Sequence, residues 1–242
     1  QTGKGVSDFH TGDRVVSNGN HAEYVVVNQN LCTRIPDNTD IKEASFTVLG
    51  SIALHGLRLS ETSLGSKVVV IGLGIIGQLV CRLAEAQGSE VIGIDPDTKR
   101  TDMSANFYTS VEEANMTNVD SVIITAATSS NEPIEVATKI ARNKAKIVVV
   151  GDIPLNISRN DFYYKELELV VSKSYGPGRY DKQYEILGKD YPIEYVRWTE
   201  NRNFEAFIKL LSQNQIHLLD LVTEEVSFEN APSIYKKFSG ED

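Results

Sequence analysis

The run Lys67-Val-Val-Val-Ile-Gly-Leu-Gly-Ile-Ile-Gly77 joins a buried-strand pattern directly to the glycine spacing G-x-G-x-x-G, and few folds accept both. Val68 to Ile71 are continuously β-branched, which suits a central parallel strand covered on both faces. Gly72 allows the tight turn out of that strand, and Gly74 keeps a Cβ away from an approaching phosphate. Gly77 lets the following helix pack close to the sheet. The free N–H groups of that helix's first turn, with its dipole, favour a doubly negative pyrophosphate. An amphipathic stretch, Gln78 to Gln87, stops at Gly88, and a second strand, Glu90 to Asp95, ends in a carboxylate. Asp95 lies 18 residues beyond Gly77, near the spacing at which an acidic side chain accepts hydrogen bonds from ribose hydroxyls. The pattern therefore predicts a dinucleotide site made by Gly72, Leu73, Gly74, Ile75, Ile76, Gly77 and Asp95, with Arg100 beside it. Asp95 favours NAD over NADP, because a 2′-phosphate would be placed against a like charge. Lys99 and Arg100 are the cations that work against that preference. The bland alternatives are a solvated turn carboxylate before Pro96 and a strand-turn-helix junction that holds no ligand.

From Ser66 to Ser174 strands alternate with helices, which predicts a six-stranded doubly wound parallel (Rossmann) sheet in an α/β protein. After the first two strands come Asn106-Phe-Tyr-Thr, Val119 to Ala126, Ala145 to Gly151 and Leu167 to Ser172. Asn131 reads as the N-cap of a crossover helix with Pro133 in its first turn and Ile134, Ala137, Ile140 and Ala141 on one stripe. Ligands of such sheets bind at the carboxyl ends of the strands where the first and fourth diverge. Thr125, Ala126 and Ala127 with Gly151, Asp152 and Ile153 are therefore expected to line the nicotinamide half of the cleft, ordinary strand-to-loop turns being the alternative.

The flanks differ in character. Gly12 to Val16 and His21 to Val27 read as short strands, and Lys42 to Leu59 as a helix broken at Gly50. After Ser174 come a Tyr- and Gly-rich loop, an amphipathic helix from Asn203, a strand near Leu219 to Thr223 and a last helix from about Phe228. The expected division is 61–185 for the dinucleotide-binding domain, with 1–60 and 186–242 forming a β-rich second unit.

Composition narrows the function classes. The 242 residues carry 24 Lys and Arg against 33 Asp and Glu, a net charge of −9, which opposes long-range attraction to nucleic acid. The most apolar region, Val68 to Cys81, is broken by Gly72, Gly74, Gly77 and Gln78 and falls short of the roughly 18 to 20 apolar residues that span a bilayer. Neither nucleic acid nor membrane is an expected partner. The opening Gln-Thr-Gly-Lys-Gly has neither an apolar signal core nor an initiator Met, so a soluble chain is expected and its true start is left open. Cys32 and Cys81 lack C-x-x-C spacing, and a reducing cytoplasm is the default setting.

The residues also resemble a known family, the medium-chain dehydrogenase/reductases. Gly12-Asp-Arg-Val15 and His21-Ala-Glu-Tyr24 are similar to elements of its chaperonin-10-like (GroES-like) catalytic domain. Ile35-Pro-Asp37, then Ala44 to Leu57, resembles the approach to its cofactor domain. Ser174-Tyr-Gly-Pro-Gly-Arg-Tyr-Asp181, with Tyr191 to Asn203, looks like two-domain oxidoreductases in which such a module precedes a glucose-fructose-oxidoreductase-like domain. The resemblance implies a partial GroES-like domain in the flanks, NAD as cofactor and an activated sugar, such as a nucleotide sugar, as substrate. It also implies an arginine, Arg197 or Arg202, near the pyrophosphate. Of the ligands of the family's catalytic zinc, two would lie before Gln1 and the third near the connecting helix, where Thr47-Val-Leu-Gly-Ser51 offers nothing soft or anionic; two cysteines cannot make the four-cysteine lobe of its structural zinc. No metal is expected.

Hydride transfer needs a group that handles the proton of the substrate oxygen. Tyr175, past the sixth strand, is the leading local candidate, more so if a cation lowers its pKa; packing at the loop mouth is the alternative. Arg179 is placed to be that cation or to hold a phosphate as a fork, unless it pairs with Asp181. His55 reads as a satisfied core imidazole and Trp198 as a packing anchor. The leading reading is an NAD-dependent oxidoreductase acting on a small, polar, sugar-like alcohol or carbonyl. An epimerase or dehydratase that regenerates its NAD, and a nucleotide-binding scaffold, are the competing ones. Homo-oligomerisation stays open.

Overall fold

The structure is a computed structural model that describes residues 1–101, 103–104 and 106–239; the last three residues of the expected second unit lie outside them. Two strands come first, β1 (Val15–Ser17) and β2 (Cys32–Arg34), paired antiparallel. The helices α1 (Ile41–Ala44) and α2 (Thr47–Leu59) lead to β3 (Lys67–Ile71) and α3 (Ile75–Ala86). There follow β4 (Glu90–Ile94), α4 (Thr98–Thr101), β5 (Phe107–Tyr108), α5 (Val111–Ala114), β6 (Val119–Ile124), α6 (Glu132–Ile140) and β7 (Ala141–Val149). The chain continues through α7 (Arg159–Lys165), β8 (Glu168–Val171), α8 (Lys182–Glu185), α9 (Glu200–Ser212) and α10 (Ala231–Ser239).

The predicted six-stranded parallel sheet is present, in the order β5-β4-β3-β6-β7-β8. β3 sits between β4 and β6, with Val69 opposite both Ile92 and Val122. Alternate residues of β3 feed two cores, as the pleat requires. Val68 and Val70 join α2, α3 and α9 on one face, and Val69 and Ile71 join α6 on the other. Both faces being covered is why the run is apolar without alternation. α9 thus lies in the helical layer of the sheet, where Phe207, Ile208 and Leu211 pack with Leu54, Leu57 and Leu83.

Four local expectations are corrected. Gly50 does not break the helix: α2 runs through it because the Phe207 ring packs there, so close that an added Cβ would lie 2.1 Å from Phe207 Cε2. The break falls at Ser45 and Phe46, between α1 and α2. His21 to Val27 form no strand, and Tyr24 and Val26 stand exposed; a β-branched run is only half a ladder, and none of the described residues pairs with it. Leu219–Leu221 is a 3-10 turn, its approach pinned by Leu218 N–H donating to Glu43 Oε1 (2.6 Å) and its middle by Arg82 holding Asp220. β7 starts at Ala141, four residues early, and absorbs them with a register shift opposite Val119 to Ser121 and a left-handed Lys144 (φ 60°). Asn131 does occupy the N-cap of α6, but its side chain staples Asn156 instead of capping.

Candidate functional site

The carboxyl ends of β3, β4, β6 and β7 converge on the glycine loop. Gly72 has φ 98° and donates its N–H to Ile94 O (2.8 Å); an added Cβ would lie 2.5 Å from Ala126 N. At Gly77 it would lie 1.9 Å from Gly72 O, and at Gly151 2.0 Å from Ala126 O. These three glycines are compelled by contact within the protein. Gly74 is different: its Cβ would meet nothing within 4 Å, although it stands at the N-cap of α3 with no side chain capping the helix. A glycine without an internal reason, at an uncapped twelve-residue helix, fits a ligand's phosphates. Thr125 fastens the loop by donating its hydroxyl to Gly72 O (2.5 Å), and Thr128 N–H donates to Asp152 O (3.0 Å), joining the two segments expected at the nicotinamide end.

Asp95 is buried at the end of β4. Its Oδ2 accepts from Leu73 N–H (2.7 Å) and Arg100 Nη1 (3.0 Å), and its Oδ1 from Asp97 N–H (2.9 Å). A carboxylate offers about four acceptor directions, so Oδ1 keeps one for a ribose hydroxyl. Arg100 is half exposed and also lies 3.5 Å from Asp97, so its charge is already committed to two carboxylates. Leu73 and Ile153 send their side chains into the two cores; only their backbones face the cleft. Ile76 packs against the first core, while Ile75 is exposed.

A second polar group gathers beyond β8. Tyr175 is buried, its ring tilted on Phe204 at 5.6 Å, and its hydroxyl accepts from Asn18 Nδ2 (3.1 Å), which leaves its own proton to donate. Arg179 lies 5.0 Å over that ring but pairs with Glu185 (2.8 Å), not Asp181. Asp181 instead caps α8 and takes the Tyr191 hydroxyl (2.5 Å). A neighbouring cation does not leave the tyrosine's pKa lowered: burial raises it and outweighs both Asn18 and Arg179. Of the two arginines expected at the pyrophosphate, Arg202 spends its fork on Asp190 and on the carbonyls of Val196 and Tyr191. Arg197 stacks on Trp198 at 3.8 Å. His55 makes no hydrogen bond among the described residues; its Nδ1 would lie 2.9 Å from a Cβ at Gly176. Burial, then Arg58, holds its pKa down at about 4, so the imidazole is neutral.

Glu200 and Asn203 were missed by sequence reasoning. Glu200 is fully buried, and neither carboxylate oxygen has a partner. Burial, then Glu185, pushes its pKa up to about 8 against the pull of Arg179. Asn203 donates to Tyr175 O (3.0 Å) and accepts from Arg58 Nε (3.0 Å). The signal was available: counting back from Phe207 and Phe204 at helical spacing puts Asn203 and Glu200 on the same apolar stripe. No three His, Cys, Asp or Glu side chains converge on a metal position among the described residues.

Comparison with known proteins agrees with this geometry. Residues 50–161 match the NAD binding domain of D-isomer specific 2-hydroxyacid dehydrogenases. The chain is 25% identical to D-guloside 3-dehydrogenase of Escherichia coli (strain K12), over 98% of its own length and 70% of that protein's. It is 26% identical to 2-dehydro-3-deoxy-L-galactonate 5-dehydrogenase of Pseudoalteromonas atlantica, over 64% of this chain and 49% of that one. Among solved structures, galactitol-1-phosphate dehydrogenase from Escherichia coli superposes with a TM-score of 0.76 at 21% identity, covering 97% of this chain and 76% of that one. A chain from Sinorhizobium meliloti 1021 bound to NADP gives 0.77 at 20% identity, covering 97% and 75%. Fold, loop and relatives together define a dehydrogenase that uses a nicotinamide dinucleotide. The solved structures it superposes on share its fold.

Proposed function

We propose that this chain transfers a hydride between NAD and a polar, sugar-like alcohol or carbonyl. The observation that carries the cofactor half is Gly74, whose missing Cβ answers to no neighbour in the protein, next to Asp95 with one acceptor direction free. NAD is preferred to NADP because Asp95 faces the ribose position and Arg100 is already bound to it. The relatives act on sugars and sugar acids by name, which supports the substrate class; a nucleotide sugar is the narrower expectation.

The nicotinamide ring, when bound, supplies or accepts the hydride. The chain does the rest. The N-terminal amides of α3 would hold the pyrophosphate, with Gly72 and Gly77 fixing their angle, and Asp95 with Arg100 would set the ribose. Thr125, Ala126, Ala127, Gly151 and Asp152 shape the wall at the nicotinamide end. Tyr175 holds the proton. With its pKa raised by burial it stays protonated at neutral pH and serves as the acid for a developing alkoxide, oriented by Asn18 and faced by Arg179. Two unpaired cysteines, Cys32 and Cys81, fit a reducing cytoplasm, and no helix among the described residues is long and apolar enough to cross a membrane.

Titration of the purified protein with NADH and NADPH tests the reading. Saturable NADH binding below millimolar, with NADPH at least tenfold weaker, is expected; no saturation at millimolar NADH overturns it. Tyr175→Phe should retain NADH binding and lose turnover of a sugar substrate by about 10²-fold or more, the usual contribution of a positioned acid.

A further inference from the structure

The loop that carries Tyr175 is bent against the preference of its own residues. Ser174 (φ 47°) and Tyr180 (φ 67°) are left-handed without being glycine, a conformation that persists only where the surroundings over-determine it. The first turn of α9 supplies two ties: Glu200 N–H donates to Pro177 O (2.8 Å), and Asn203 Nδ2 donates to Tyr175 O (3.0 Å). Asn203 is fully buried, and its partners leave its amide one orientation. Arg58 Nε can only donate, so it selects Oδ1 (3.0 Å), and a carbonyl can only accept, so it selects Nδ2. Arg58 is itself held against Trp198, its guanidinium 3.4 Å from the ring centroid. An aspartate in this place would keep the acceptor and lose the donor; a leucine would lose both. The Tyr175 ring packs on Phe204, the next residue of α9, and its hydroxyl meets Asn18. Of these three contacts, the one to Asn203 grips the backbone from which ring and hydroxyl hang.

We propose that Asn203 is a positioning residue for hydride transfer, acting on the reaction only through Tyr175; this role rests on the reading of that tyrosine as the acid. An acid must stand within about 2.6–3.2 Å of the oxygen it protonates, and a group misplaced by about 1 Å can cost about 10²-fold in rate. The amide relays the fixed position of Arg58 on Trp198 to the Tyr175 carbonyl, and so to the place of the hydroxyl beside Asn18. A side chain that served the fold alone could be any residue filling the same space. Pairing with a donor on one side and an acceptor on the other demands an amide.

Carbon-13 labelling at Cζ of the tyrosines, read by NMR, tests this without a substrate. The Tyr175 signal is the one missing from Tyr175→Phe. In the parent, Asn18→Ala removes the donor to the hydroxyl and displaces that signal. Asn203→Asp, nearly isosteric, is expected to displace it too, with Tm and NADH affinity little changed. Asn18→Ala added to it should then have less than about half its effect in the parent, because both act on one contact. The Tyr184 signal is the control: that hydroxyl donates to Thr199 Oγ1 (2.9 Å) just before α9 and should stay in place. Arg58→Lys keeps the charge, removes the Nε donor and frees the amide to turn. It should displace the Tyr175 signal in the same direction, which keeps the test valid if Asn203→Asp fails to fold. A Tyr175 signal unmoved in these variants, an Asn18→Ala effect undiminished in them, or an equal displacement of the Tyr184 signal overturns the proposal. Tyr175→Phe with parental turnover, beside a diminished Asn18→Ala effect, would instead refute the acid and with it the part of Asn203 in the reaction, while leaving the placement of the hydroxyl as described.

Discussion

At the scale of single residues, the glycines of one motif separate into two kinds. Gly77 is forced by the protein, since a Cβ there would lie 1.9 Å from Gly72 O; Gly74 has open space. Gly77→Ala should therefore cost about 1–3 kcal/mol of stability, the usual price of overpacking, and damage cofactor binding as a consequence. Gly74→Ala should leave Tm within a degree or two yet weaken NADH binding tenfold or more. Calorimetric melts and NADH titrations of the two variants read this directly, and equal losses of stability would refute the division. The glycines and Asp95 were legible because their spacing follows from backbone geometry. What spacing did not carry was which neighbours Asp95 already had: Leu73 N–H, Asp97 N–H and Arg100 occupy acceptor directions that no sequence pattern prints.

At the scale of elements, α9 shows both what periodicity reveals and how it is underused. The sequence places its start at Asn203 and its apolar stripe from Phe204, because a glutamate and an asparagine look like the polar start of a helix, whereas α9 begins at Glu200. The helix buries them. Glu200 is the costly member, a carboxyl with neither oxygen partnered. Its folded pKa of about 8 lies above the 4.5 expected unfolded, so the sign is fixed. Below pH 4.5 it is protonated in both states and costs nothing in proton linkage. Between pH 4.5 and 8 the unfolded chain ionises while the folded one does not, and stability falls as pH rises, reaching a plateau above 8. The loss at pH 7 is on the order of 3 kcal/mol. Glu200→Gln should thus match the parent's Tm near pH 4.5 and exceed it progressively up to pH 8. Parallel melting curves at every pH would show that Glu200 ionises as freely folded as unfolded. The flanking elements were less legible for a related reason. His21 to Val27 has strand composition, but a strand is a property of two segments, and Leu219 to Leu221 has apolar character that a 3-10 turn carries without burying any of the three.

At the scale of the molecule, the parallel sheet was legible as a whole because a βαβ alternation admits few topologies. The cofactor cradle draws on the ends of β3, β4, β6 and β7, the four central strands, so a ligand there braces the element on which both cores rest. The β1–β2 pair lies outside that cradle; Asn18, the residue after β1, donates to the Tyr175 hydroxyl, and Cys32 O of β2 accepts from Asn201 of α9. Two consequences can be separated. At NADH a hundredfold above its Kd, linkage adds about 2.7 kcal/mol, which for a chain of this size raises Tm by about 5–10 °C. Hydrogen exchange should slow at 72–77, 94–97, 125–128 and 151–153, and stay unchanged at 15–17 and 32–34. Protection spreading to the β1–β2 pair on cofactor alone would mean that this lobe closes on NADH without a substrate, and would move the proton-holding role of Tyr175 from a preformed arrangement to one assembled on cofactor binding.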